Sequence, residues 1–213
     1  MDATVHIIVI GYSLPKEEKD CIESIHKNTD YPCGLTFYDN YNTGHTLTYV
    51  WNTIIKHSPY NYICLLNNDT IVYPKWLSRM METLLTYPKC GFVGPSTNDL
   101  KTGPSPEITT WLQAEANPKK IEVRTTPLVG FCLLFPKAVW TELNGFDERY
   151  TLYGQESDME DRAMKMGYAC IWRKDAFVYH IGEASAKKHN VDITTERRLA
   201  RIRYWHDRGR TVR

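Results

Sequence analysis

Apolar residues fall in short continuous runs along this chain, separated by stretches with helical spacing. Residues 4–10 (TVHIIVI) are nearly all apolar and β-branched, the pattern of a strand buried on both faces, and the run stops at Gly11. Pro15 then stands where the first turn of a helix tolerates proline, and Cys21, Ile22 and Ile25 share one face of the helix that follows. Residues 35–38 predict a second strand ending at Asp39 and Asn40. Residues 46–57 predict a second helix, with Leu47, Val50, Trp51, Ile54 and Ile55 at three- and four-residue spacing. Residues 62–66 form a third strand pattern that runs into Asn67, Asn68, Asp69 and Thr70. Pro74 opens a helix with Trp76, Leu77, Met80, Leu84 and Leu85 on its apolar side, and residues 91–94 give a fourth strand. Such alternation predicts an α/β fold with helices covering a parallel sheet. Ligands of such sheets bind beyond the carboxyl ends of the strands, where Tyr12, Asp39 and Asp69 fall.

The second half changes character. Residues 95–120 carry four prolines and many polar side chains, which predicts a long loop. Strand patterns follow at 122–126 and 128–135, then a short helix at 137–143 and an acidic helix at 155–166. Two short strands are expected at 170–173 and 177–179. Thr194 or Thr195 is placed to cap a last helix, in which Leu199, Ile202 and Trp205 recur every three residues and favour docking on the body. No internal repeat is visible.

Composition narrows the class without choosing a function. The chain has 213 residues with 42% hydrophobic and 12% aromatic side chains, which excludes disordered and collagen-like sequences and favours one domain with an added tail. The net charge of +1 hides an asymmetry. From Ala186 onward, nine Lys and Arg face only Asp192, Glu196 and Asp207, a balance of +6, so the first 185 residues carry −5. The six cysteines show no two-residue spacing, and most sit in apolar contexts such as YICLL and GFCLLF, so free thiols are expected rather than a disulfide framework or zinc site. No signal peptide is expected from MDATVHIIVIGY, and the longest apolar stretch, LVGFCLLF, is far short of a membrane span, so a reducing, cytoplasmic setting is expected.

Polar groups at three strand ends suggest a metal-assisted nucleotide site. A carboxylate such as Asp69 at the tip of a buried strand can hold Mg²⁺ or Mn²⁺ through oxygen, and the cation would neutralise a diphosphate. The bland alternatives are a helix-capping role for Asp69 and a turn role for Asp39 within DNYNTG.

The order of these pieces resembles the nucleotide-sugar glycosyltransferases of the GT-A fold, family 2 in particular. The matching motifs are IVIGYS, FYDNYNTG, LLNNDT, LVGFCLLF, GFDERY, YGQESDMEDRAMKMGY and YHIGEAS, in that order between Thr4 and Ser185. The resemblance implies a mixed, mostly parallel central sheet flanked by helices, with residues 1–185 as the transferase domain and 186–213 as a basic helical tail. It implies a UDP-sugar donor, a Mn²⁺ or Mg²⁺ ion and a glycan or other hydroxyl acceptor. Gly11, Tyr12 and Ser13 would line the nucleotide, with Tyr12 beside the base and Asp39 hydrogen-bonding it. Asp69 and His180 would hold the metal, with Asn67 and Asn68 beside them; Asn67 replaces the first Asp of the family's Asp-Xaa-Asp motif. The family's Glu-Asp pair falls on Gln155 and Glu156 and its later Asp on Asp158, so Glu156 and Asp158 are the candidate catalytic residues. Asp158 and Arg162, four apart, also suit an ion pair, whereas Glu160 and Asp161 are expected at the solvated surface. Attack assisted by Glu156 would invert the anomeric carbon; the departure at Gln155 leaves a retaining reaction open.

Other readings remain. A non-catalytic sugar-nucleotide-binding module would fit the replaced Asp. The basic tail would suit a further domain or an anionic surface, including DNA whose modified bases are glycosylated. A nucleotidyltransferase needs a Gly-rich phosphate loop that GYSLPKEE lacks. Trp111 offers either a sugar-stacking platform or packing. The small size resembles glycosyltransferase domains of large algal viruses, which implies host cytoplasm.

Overall fold

Alternate side chains of the first strand, β1 (Val5–Gly11), enter two different cores. Val5, Ile7 and Val9 pack on one side of the sheet, and Ile8 and Ile10 on the other. This two-sided burial is the reason the TVHIIVI run shows no polar alternation. The computed structural model describes residues 4–98 and 108–209. Along the chain β1 is followed by α1 (Pro15–Asn28), β2 (Cys33–Asp39), α2 (Leu47–His57), β3 (Tyr62–Asn67), β4 (Thr70–Val72), α3 (Trp76–Thr86) and β5 (Cys90–Ser96). Then come α4 (Trp111–Ala116), β6 (Ile121–Arg124), β7 (Cys132–Pro136), α5 (Lys137–Glu142), α6 (Gln155–Lys165), β8 (Ala169–His180), α7 (Ala184–Lys188) and α8 (Ile193–His206).

The described strands form one sheet in the order β2-β1-β3-β7-β5-β8-β4, with β6 also paired to β8. β2, β1 and β3 are parallel, as are β5 and β8, while β7 runs against β3 and β5, and β4 and β6 run against β8. Helices α1 and α3 bury Cys21, Ile25, Trp76, Leu77 and Met80 against one face. Val50, Trp51 and Ile55 of α2, Val139 of α5 and Met159 and Ala163 of α6 cover the other.

Three strands differ from the sequence pattern. β4 was not expected, because three residues between Asp69 and the Pro74 turn are too few to show a period. The strand expected at 128–135 begins only at Cys132: the Leu128 N–H is taken by the Glu160 carboxylate at 2.7 Å, not by a neighbouring strand. The two strands expected at 170–173 and 177–179 are one strand, β8, whose register against β5 shifts between Pro95 and Ser96. At that irregularity the Arg173 guanidinium pairs with Asp175, which is also 3.5 Å from Arg79 and 3.4 Å from Lys120, so charge replaces the apolar alternation there.

Residues 99–107 of the expected long loop and Arg210 and Arg213 of the basic tail lie outside the described residues; within the rest of the loop is α4, capped by Thr110. Trp111 stacks on Tyr73 with ring centroids 5.9 Å apart, and Trp172 is buried with its indole N–H bonded to Ser96. The six cysteines are free thiols. Among the described residues no helix is long and apolar enough to cross a membrane. α7 runs through the 185/186 boundary of the sequence reading, and α8 is capped by Asp192 rather than by either threonine.

Candidate active site

The carboxyl ends of β1, β2 and β3 bring the expected nucleotide-side residues together. Gly11 ends β1 where an added Cβ would come 2.4 Å from the Phe37 ring, so a larger residue would push that exposed ring aside. Ser13 follows with φ 57°, and its carbonyl accepts a hydrogen bond from Lys188. The Tyr12 ring is exposed and meets Tyr41 and His189 edge-on, at 5.6 and 5.3 Å between centroids. Tyr41 and His189 also face each other at 5.1 Å. Asp39 closes β2, with Oδ1 accepting the Tyr41 N–H at 2.9 Å, the turn role foreseen as its bland alternative.

A residue missed in the sequence holds this end in shape. Glu18 Oε1 accepts from the backbone N–H of Tyr12 at 2.7 Å and of Leu14 at 3.0 Å, and from the Asn68 side chain at 3.0 Å. Asn68 is thereby turned toward α1. The signal was an acid in the first turn of a helix reaching back to its N-terminal N–H groups, half of a capping box.

Pairing of β4 with β8 sets Thr70 opposite His180, and Ile181 N–H donates to the Asp69 carbonyl at 3.0 Å. His180 Nε2 therefore lies 3.3 Å from Asp69 Oδ1 and 3.4 Å from the Asn67 side-chain nitrogen. Asp69 Oδ2 accepts the Ala184 N–H at 3.3 Å. Asn98, inside the expected loop and not singled out there, clamps the His180 backbone: its Oδ1 accepts the N–H at 2.7 Å and its Nδ2 donates to the carbonyl at 3.1 Å. Burial alone would raise the Asp69 pKa, but the His180 hydrogen bond and charge and the Ala184 N–H outweigh it and hold the group below the usual carboxylate value.

A carboxylate and an imidazole nitrogen converging at this distance, with His180 Nδ1 enclosed and lacking a partner, are donors that suit Mn²⁺ or Mg²⁺. They fit a cation with two protein ligands; no group of three His, Cys, Asp or Glu gathers among the described residues. Beside them a cavity of about 490 Å³ opens between the start of α1 and the residues after β8, with Lys16, Lys187 and Lys188 on its walls.

The expected catalytic acids lie on α6. Gly154 enters the helix at φ 89°, a conformation that favours glycine, and Glu156 follows in the first turn. The Glu156 carboxyl lies on Gly130, where an added Cβ would come 2.1 Å from Oε1. Burial raises its pKa to about 7. The next residue, Phe131, stacks on the His180 ring at 5.1 Å and 17°, and its carbonyl accepts the Asn67 N–H at 2.9 Å. Glu156, Asn67 and His180 thus meet around one short segment.

Asp158 is not brought to this cluster. Its carboxylate is 2.8 Å from Arg162 Nε and 3.5 Å from Arg208, and Arg162 also bonds the carbonyls of Leu143 and Gly145. Two residues along a helix point to different sides, so Asp158 anchors a loop and α8 where the sequence had suggested a catalytic group. Glu160 and Asp161 are likewise not solvated: Glu160 is fully buried, and Asp161 accepts hydrogen bonds from Tyr204 and Arg208.

No family model matches the chain. Over 145 residues it is 24% identical to the N-acetylglucosaminyl-diphospho-decaprenol L-rhamnosyltransferase of Mycobacterium tuberculosis, with the same figures for strains CDC 1551 / Oshkosh and ATCC 25618 / H37Rv. That match covers 56% of this chain and 47% of the relative, so the chain spans about half the length of the curated relatives it matches. Among solved structures, the mannosyltransferase PcManGT from Pyrobaculum calidifontis in complex with GDP-Man and Mn²⁺ superposes with TM-score 0.64 at 15% identity, covering 98% of this chain and 65% of that one. The chain has the GT-A fold. GalNAc-T7 with UDP, GalNAc and Mn²⁺ agrees, with TM-score 0.65 at 11% identity over 84% of this chain and 44% of its own.

Proposed function

We propose that this GT-A chain is a metal-dependent glycosyltransferase that moves a sugar from a UDP-sugar to a hydroxyl of a glycan or other acceptor. The observation that carries the reading is the convergence of Asp69 and His180 on one side of the Gly130–Phe131 segment with the Glu156 carboxyl on the other. Asp69 and His180 would hold Mn²⁺ or Mg²⁺, which when bound neutralises the diphosphate and eases its departure. Lys16, Lys187 and Lys188 would add positive potential along the phosphates. Tyr12 and Asp39 would receive the base, with Gly11 and Ser13 lining it.

Glu156, with a pKa of about 7, would take the proton of the acceptor hydroxyl as that oxygen attacks the anomeric carbon. The bond from that carbon to the diphosphate breaks as the new one forms, which inverts the centre. Asp158 is left out of this chemistry because two arginines occupy it. Residues 1–185 would form the transferase domain and 186–213 its basic attachment.

The similar structures carry GDP-mannose in one case and UDP in the other, so the donor base is the first point to test. Thermal shift of the chain with UDP-, GDP- and dTDP-sugars, each with Mn²⁺ or EDTA, should give a metal-dependent rise with UDP-sugars. A rise with GDP- or dTDP-sugars instead would overturn the uridine assignment, and sugar-nucleotide binding without turnover on any acceptor or water would favour a binding module.

A further inference from the structure

Glu160 is a buried acid for which the chemistry above has no use. It lies one helical turn after Glu156 on α6, between the core positions Met159 and Ala163, and is fully buried. Oε2 accepts the Leu128 N–H at 2.7 Å, Oε1 is enclosed, and the Cys170 thiol adjoins the carboxyl. Leu128 begins the segment that passes through Gly130, under the Glu156 carboxyl, to Phe131, against the His180 ring. The segment's other end is tied by the Asn67 N–H to Phe131 O bond at 2.9 Å. Residues 130 and 131 form a turn between these two ties, so the floor beneath Glu156 is a short turn held at its ends by Glu160 and Asn67.

We infer that Glu160 is a positioning residue: its carboxyl pins residues 128–131 so that Gly130 supports and dries the Glu156 carboxyl in its reacting orientation. The inference rests on the reading of Glu156 as the base. An acid suits this task better than an apolar residue because a core side chain here would leave the Leu128 N–H buried without an acceptor. A carboxyl that keeps its proton avoids placing a second charge behind Glu156. Burial, the charge of Glu156 and that of Asp161 all raise its pKa, to about 8, against the lowering effect of the Leu128 N–H and the adjoining Cys170 thiol. The groups facing the pair are thus Asp161 on α6 itself and Cys170 on β8, with Tyr153 near Glu156.

The test compares Glu160→Gln, which keeps an acceptor oxygen, with Glu160→Met, which removes it at similar volume. At pH 7.5 the Gln variant should keep wild-type turnover. The Met variant should lose about tenfold or more in kcat with donor KM unchanged, as misplacement of a reacting group costs. Carbon-13 titration of the Glu156 carboxyl, read without any ligand, should give a midpoint near 7 in the wild type and the Gln variant and a lower one in the Met variant. Should the Met variant fail to fold, Glu160→Asp, one methylene short of Leu128, carries the same comparison. An unmoved Glu156 midpoint in the Met or Asp variant overturns the inference, as does a fall in donor affinity that accounts for the whole loss. If Glu156→Gln leaves transfer intact, the base reading fails, while the ligand-free titration still decides whether Glu160 positions Glu156.

Discussion

Two acids on one face of α6 set its response to pH. Glu156 and Glu160 both have pKa values raised above the ordinary glutamate value of 4.5, to about 7 and about 8. The protonated form is therefore favoured by folding, so their contribution to stability is intact below pH 4.5 and is lost as pH rises to about 7 and 8. Transfer has the opposite slope, since a base must be ionised, and should rise through pH 7. Glu156→Gln is thus expected to lower transfer by roughly 10²- to 10⁴-fold while raising stability at pH 8 by as much as about 3 kcal/mol, with no gain at pH 4. Melting temperatures at the two pH values check this, and equal shifts at both would remove the linkage. Glu156 was singled out by its motif alone. Glu160 was not, because charge suggested the surface; its position between Met159 and Ala163 on the apolar side of the helix was the overlooked signal. Asp158 shows the reverse, a motif acid whose i,i+4 arginine described it better than the motif did.

At the level of elements, strands buried on both faces and helices with a clear apolar stripe were readable, in β1, β3 and β5, in α1 to α3 and again in α6. What escaped were elements ordered by partners distant in sequence. β4 exists only because β8 returns beside it, and β8 hides its continuity behind Arg173, Lys174 and Asp175. α8 docks as the sequence suggested but by another surface. Leu199 and Ile202 remain 56% and 40% exposed. The contacts are Tyr204 and Arg208 on Asp161, Arg197 on Glu183 and over the Tyr153 ring, and Arg203 over Tyr150. Ion pairs and ring contacts leave no period to read. Asp161→Asn should weaken this docking by about 1–3 kcal/mol, the range for hydrogen bonds to charged groups. Trypsin should then cut within Arg197–Arg203 sooner, while the melting of the sheet moves little; unchanged cleavage would mean that α8 is held elsewhere.

Over the whole molecule, the −5 body and +6 tail are joined rather than merely opposed. Arg208 reaches Asp158 and Asp161, Arg149 of the body reaches Asp207 of the tail, and Lys188 reaches the strand-end turn at Ser13. The Arg149–Asp207 and Arg197–Glu183 pairs are partly exposed and weaken as salt shortens the Debye length from about 10 Å at 0.1 M to about 3 Å at 1 M. Hydrogen exchange of α8 amides should therefore accelerate between those salt concentrations while β1 and β3 amides hold; equal responses would show that α8 shares the stability of the sheet.

The proposed metal pair joins distant parts of the sheet: Asp69 follows β3 and His180 ends β8, and the adjoining Asn67–His180 contact spans 113 residues. Closing so long a loop is entropically expensive and slow, and it is compensated only once the intervening strands have formed. During synthesis, an incomplete chain would contain the Asn67–Asp69 corner and even Glu156, yet it would have no imidazole to complete the pair until β8 emerged. Under the proposed function, capacity to bind the cation would arise in the same event that finishes the sheet, so truncated chains would not sequester nucleotide sugars.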